Sequence, residues 1–155
     1  MTKKGWLLFV VAFVYLIGGA RAEESYPFEK YPASNIFRGK PKAPMLDSPR
    51  ARQYKTAIRE AAKDGPDFAG HYTIAAWGCG SQCSNFSVID ALTGKVYIPP
   101  DDVSFSLGGP IYRLDSTLLV TEQQASSGGP LEVDLYNWNG SKFVLLRKTP
   151  LHYSK

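Results

Sequence analysis

The hydrophobic pattern changes period along the chain. Ala51, Tyr54, Ile58 and Ala61 recur at helical spacing, with Ala57 and Ala62 beside them and Arg52, Lys55, Arg59 and Lys63 on the other side. Ser48-Pro49 in front of them is an N-cap followed by proline at the first helical position, and Gly65-Pro66 behind them is a stop. The spacing predicts an amphipathic helix over residues 49–63. Beyond Pro66 the period is two. Strands are expected over 71–77, 85–90, 95–98, 112–114, 118–122, 133–138 and 142–147. In the first of them, alternation puts His71, Thr73, Ala75 and Trp77 on one face and Tyr72, Ile74 and Ala76 on the other. Asn139-Gly140 reads as a two-residue hairpin turn, whose central positions both need positive φ.

Gly108-Gly109-Pro110 and Gly128-Gly129-Pro130 lie 20 residues apart, each before an expected strand, and read as turns of a meander. A phosphate cradle would need a helix after the glycines. In residues 23–48, Pro27, Pro32, Pro41 and Pro44 lack amide donors and push their predecessors towards extended geometry. That stretch reads as an extended Pro-rich arm. Tyr26, Phe28, Tyr31, Ile36 and Phe37 give it reason to lie along the domain that follows, residues 49–150. The expected fold is α+β: one N-terminal amphipathic helix packed on an antiparallel sheet of about five to seven short strands.

The N-terminus has a different character. A short basic start with Lys3 and Lys4 leads into an apolar run from Trp6 to Ile17 and then Ala20-Arg21-Ala22, the layout of a secretory signal peptide. The run is 12 residues long, whereas a spanning helix needs about 20. Cleavage is expected after Ala22, and no cysteine nearby offers a lipid attachment point. The leader takes three of the 18 basic residues with it and none of the 14 acids, so a chain of formal charge +4 becomes one of 133 residues near +1. Global attraction to nucleic acid loses its support. The location implied is periplasmic or secreted, with no stable membrane anchor after cleavage.

Two cysteines, Cys79 and Cys83, remain, and an oxidising compartment favours pairing them. Closing so short a loop stabilises by only about 2 kcal/mol, so such a bridge shapes a loop more than it holds a domain. Gly78 and Gly80 flank Cys79 and free the backbone there.

Phe68-Ala-Gly-His-Tyr72, Trp77-Gly-Cys-Gly80 with Cys83, and Asp90-Ala-Leu-Thr-Gly-Lys-Val-Tyr97 occur together with Asp115-Ser-Thr-Leu-Leu-Val120 and Tyr136-Asn-Trp-Asn-Gly-Ser-Lys-Phe143. This set resembles a family of small exported bacterial proteins with no established activity. The resemblance covers roughly residues 65–147, implies export and a single domain, and transfers no catalytic residue.

Catalytic chemistry finds little footing. A thiol enzyme would use Cys79 as nucleophile and His71 as base, but a paired sulfur does not attack. The Cys-x3-Cys spacing is not the Cys-x2-Cys of thioredoxin-like redox sites. Cys79, Cys83, His71 and Asp90 lack metal-ligand spacing. No spacing singles out a glycosidase carboxylate pair, and no Gly-x-Ser-x-Gly is present. No cofactor, metal or nucleic acid is expected. The pattern points to an exported, non-enzymatic binding protein whose partner is another exported protein. Its sharpest form is an inhibitor or immunity protein that plugs a cell-wall-degrading enzyme. The expected surface is Trp77, Gly78, Gly80, Ser81 and Gln82, with His71 and the two Gly-Gly-Pro turns as neighbours and Arg52, Lys55, Arg59 and Lys63 as a secondary basic stripe. Two alternatives stand beside it. One is a small-ligand or cell-wall-binding accessory module with Trp77 as a stacking platform; the other is the cysteine-dependent enzyme using Cys79 and His71.

Overall fold

A computed structural model describes residues 26–80, 83–100, 103, 105, 109–124 and 130–150. The expected leader, Ser81, Gln82, Gly108, Gly128 and Gly129 lie outside the described residues, as do the side chains of Cys79 and Cys83 and with them the expected disulfide. No described helix is long and apolar enough to cross a membrane.

Ser48 caps the helix, its Oγ accepting from the Ala51 amide at 3.0 Å, with Pro49 at the first helical position. The helix is bent into α1 (Pro49–Gln53) and α2 (Lys55–Asp64) at Tyr54, whose φ and ψ are −103° and 23°. The ladder runs through the bend, from the Tyr54 amide to Arg50 O and from the Ile58 amide to Tyr54 O. Gly65, at φ +84°, ends it in a conformation that side chains disfavour.

Among the described residues seven strands follow: β1 (Tyr72–Gly80), β2 (Cys83–Asp90), β3 (Val96–Tyr97), β4 (Ile111–Tyr112), β5 (Leu118–Gln124), β6 (Leu131–Trp138) and β7 (Phe143–Pro150). All pairings are antiparallel, and the α+β class holds. They do not form one sheet, however. β1-β2-β3 is one sheet and β4-β5-β6-β7 another. Pro99 and Pro100 interrupt the pairing after β3, Phe105 pairs once more with Ser84 of β2 by bonds of 3.1 and 3.3 Å, and the second sheet begins at β4.

The two sheets bury their facing sides together. Tyr72, Ile74, Phe86 and Val88 from the first pack with Leu119, Tyr136 and Trp138 from the second, closed by Phe68, Val103 and Phe105. Each outer side has its own cover. Ala75, Trp77 and Ile89 meet Ala51, Tyr54 and Ile58 of the helix. Leu118, Val120, Val133 and Leu135 meet Tyr26, Phe28 and Tyr31 of the arm. The odd-numbered face of β1 therefore carries the helix, and the even-numbered face is the inter-sheet core.

The arm is held by backbone bonds along its whole length. Thr117 N–H donates to Tyr31 O, Ala33 N–H to Asp115 O, Phe37 N–H to Gly70 O, Lys42 N–H to Ala91 O and Met45 N–H to Gly94 O, all within 2.7–2.9 Å. Arg113 adds ion pairs to Glu29 at 2.8 Å and Asp115 at 2.7 Å and stands over the Phe28 ring.

The turn at Asn139-Gly140 corrects one expectation. Trp138 pairs with Phe143, so the loop has four residues, and only Gly140 has positive φ. Asn139 Oδ1 accepts from the amides of Ser141 and Lys142, each at 3.0 Å. That side-chain turn satisfies the backbone that a two-residue hairpin would have paired.

Asp67 ties the two sheets together. Its carboxylate accepts from the Ile74 amide at 2.9 Å and from Tyr112 Oη at 3.1 Å. Burial pushes its pKa above the usual carboxylate range despite these bonds. The folded chain thus holds this proton more tightly than the unfolded chain. Its contribution to stability is present at low pH and is lost as pH rises through the raised pKa. Asp67→Asn removes the charge and keeps the shape. In urea titrations, the variant should gain on the parent as pH rises above about 4. A difference independent of pH would refute this reading.

Candidate functional site

The Phe68-Ala-Gly-His-Tyr72 segment makes a sharp turn into β1. Phe68 and Tyr72 exchange backbone bonds, both at 2.9 Å. Ala69 has φ 45° and Gly70 φ 86°. Ala69 is the one non-glycine residue with positive φ among those described, a conformation that costs an L-residue about 1–2 kcal/mol. The turn is clamped from both sides, by Gly70 N–H to Leu114 O at 2.6 Å and Phe37 N–H to Gly70 O at 2.8 Å. A Cβ on Gly70 would fall on the carbonyl oxygen of Asn35.

This strained turn delivers His71 to the end of the sandwich. There a pocket of about 240 Å³ opens between Ser34 of the arm, His71, Tyr72, Thr117, Trp138 and Asn139. Trp138 is 3% exposed and stands edge-on to Tyr72 at 5.4 Å and to Tyr97 at 5.3 Å. Its indole N–H lies towards the Tyr72 hydroxyl without making a well-directed hydrogen bond. The His71 ring lies on the Tyr72 ring, 4.1 Å between centroids, and its buried Nδ1 has no hydrogen-bond partner. Burial raises the Tyr72 pKa, so the phenol is a neutral donor; its contact with Gly140 O is long, at 3.5 Å.

Behind His71 stands Asp90, Oδ1 at 3.9 Å from Nε2, too far for a hydrogen bond. Asp90 is fixed by the Leu92 amide at 2.8 Å and the Thr93 hydroxyl at 2.7 Å. The residues around the cup thus bring an indole, an imidazole and hydroxyl side chains together at one place. A buried polar atom without a partner costs about 1–3 kcal/mol, and His71 Nδ1 is such an atom.

The residues singled out in the sequence divide between two ends of β1. His71 belongs to the pocket. Gly78 and Gly80 lie at the other end, exposed, with open space where a Cβ would sit. Eight residues of extended chain separate positions 71 and 79 by about 25 Å, so the cysteine and histidine of the thiol-enzyme reading are not brought together. Trp77, six extended residues from His71, lies about 20 Å from it. Trp77 is no open platform either: its ring stacks on Tyr54 at 4.3 Å and 14°, under the helix. Of the basic stripe, Arg52 donates to Leu46 O and Asp47 O, Lys63 pairs with Glu60 at 2.7 Å, and Lys55 and Arg59 are exposed. Among the described residues no group of three His, Cys, Asp or Glu side chains could hold a metal. Gly109 precedes β4 and Pro130 precedes β6, so each segment stands before a strand as expected, but the first lies in the connection between the two sheets and is not a turn within one meander.

Ser34, Thr117 and Asn139 escaped the sequence reading. The signal for Asn139 lay in Tyr136-Asn-Trp-Asn-Gly140, which the fold sets against His71. Ser34 and Thr117 carry no local signal; they arrive through the arm and the β4–β5 turn. Compared with family models, curated proteins and solved structures, the chain matches none.

Proposed function

We propose that the protein is an exported binding protein whose His71 pocket takes a small, neutral, polar group of a cell-envelope ligand, of the size of one sugar ring or one peptide unit. The observation that carries this is the pair of buried, unpartnered atoms, His71 Nδ1 and Trp138 Nε1, on residues lining one pocket behind a strained turn. Strain of that kind persists where the surroundings enforce it and clusters at binding sites. The leader pattern supplies the compartment, and the disulfide at Cys79 and Cys83 is part of the same proposal, pinning the far turn.

Two tryptophans, Trp77 and Trp138, lie beyond the leader. Trp77→Phe therefore makes Trp138 a single reporter in the pocket. Its emission should shift on titration with N-acetylglucosamine or soluble peptidoglycan fragments, and His71→Ala should weaken that response at least about tenfold, the loss of one hydrogen bond to a buried group. A flat titration across these ligands would sink the proposal.

The protein-inhibitor reading keeps one supporting observation. β7 is an edge strand, and Val144, Leu145 and Leu146 are 42%, 51% and 41% exposed along it. Three adjacent exposed apolar residues on a strand edge that has no pairing partner among the described residues favour a protein partner. Titration into muramidase, amidase and transpeptidase assays tests it. Inhibition abolished by Leu145→Asp would establish an enzyme target, and no inhibition across the panel would remove this reading.

A further inference from the structure

A second concavity, unrelated to the His71 pocket, lies between the arm and α2. Its volume is about 610 Å³. Lys40 and Lys42 border it from the arm, Arg59 and Lys63 from the helix, and Pro41, Pro44 and Ala62 line it between them. Among the described residues no acidic side chain lines it. Among the described residues Lys40, Lys42 and Arg59 make no ion pair, and Lys63 has only an exposed partner, Glu60. An exposed pair of that kind contributes little and exchanges easily.

The trough is built, not incidental. Lys42 N–H bonds to Ala91 O and Met45 N–H to Gly94 O, which fixes the arm on either side of Ala43. Gly94, at φ +82°, lies so close that a Cβ there would fall on Ala43 O. The backbone approach that sets the arm beside α2 therefore depends on a glycine in another turn.

We propose that this trough binds an extended, acid-rich segment of a partner polypeptide. The spacing of the cations selects the chain type. Lys40 and Lys42 are two extended residues apart, a repeat of about 6.6 Å. Arg59 and Lys63 are four helical residues apart, about 6 Å along the axis. Each rail thus matches the interval between alternate side chains of an extended peptide. A peptide sends successive side chains to opposite sides, and so serves both rails at once. A polyphosphate carries its charge along one central line and fits two separated rails poorly. The proline and alanine floor suits the backbone of such a segment.

The test is fluorescence anisotropy of a labelled octaglutamate peptide with the protein purified after export. Binding is expected at low salt, weakening steeply as ionic strength rises. Lys40→Glu with Arg59→Glu should reduce affinity at least about tenfold, a loss of about 1.4 kcal/mol. Lys30→Glu with Lys142→Glu, an equal charge change on other elements, should leave it within about twofold. Gly94→Ala alters no charge and should weaken binding by displacing the arm. Absence of binding at low salt, or equal loss in both double variants, overturns the proposal. So does polyphosphate that binds the trough as tightly as the peptide. The His71 pocket is probed by a different ligand and reporter, so either site can fail alone.

Discussion

Gly70→Ala should lower the stability of the protein by about 2–4 kcal/mol, enough to move a urea midpoint by a molar unit or more. Two independent effects add. At φ 86°, any side chain costs about 1–2 kcal/mol against glycine. The new methyl also meets Asn35 O, which belongs to a rigid backbone and cannot swing aside as a flexible side chain would. Relief requires moving the arm, and the arm is tied there through Phe37 N–H to Gly70 O. The damage spreads to function, because the next residue is His71. Ligand response at Trp138 should fall together with stability. A neighbouring change separates the two effects: Ala69→Gly relaxes φ 45° and should leave the midpoint unchanged or raise it, since glycine tolerates that conformation. A Gly70→Ala midpoint equal to the parent's would mean that the turn is not clamped as described.

The elements were legible because each rests on local chemistry. Ser48-Pro49 and Gly65 set the helix, and alternation set the strands and their faces. Even the two sides of β1 follow from the pleat alone. Partnering was not legible. Tyr97-Ile-Pro-Pro100 marks an interruption, but nothing in it states that the chain returns to β2 at Phe105 and only then starts a second sheet. The break at Tyr54 was equally hidden, since it accompanies a ring stack with Trp77, more than twenty residues away in the chain.

The site was half legible. His71 stood out as one of two histidines, and Phe68-Ala-Gly-His-Tyr72 as an unusual segment. Grouping it with Trp77 and the cysteine turn rested on nearness in sequence, and an extended strand turns nearness into distance. The pocket instead gathers Ser34, Thr117 and Asn139 from three remote segments. Alternation assigns a face to each residue, but an end-of-sandwich pocket depends on how the ends of two sheets and an arm converge. The basic stripe was incomplete for the same reason: only the arm brings Lys40 and Lys42 to the same concavity as Arg59 and Lys63.

Phe86→Ala should cost about 3–5 kcal/mol, a large part of the 5–15 kcal/mol that holds a domain folded. Phe86 is 2% exposed on the inner face of β2. Its ring meets Phe105 and Phe143 at centroid distances of 5.6 Å each. Phe143 opens β7 of the other sheet, so this ring joins the two sheets. The cross-strand neighbour of Phe86 is Ala76, whose small side chain is itself exposed and cannot fill the space. The cavity therefore persists, which is the condition for the upper end of the cost. Leu145→Ala is the control: a residue 51% exposed on β7 should change stability by no more than about 0.5 kcal/mol. Were the seven strands one continuous sheet, with the helix covering a single face, Phe86 and Leu145 would differ far less. Comparable losses in the two variants, measured by urea denaturation with unchanged slope, would reject the sandwich. A wide gap between them would place the principal core between the sheets, with helix and arm as separate outer covers.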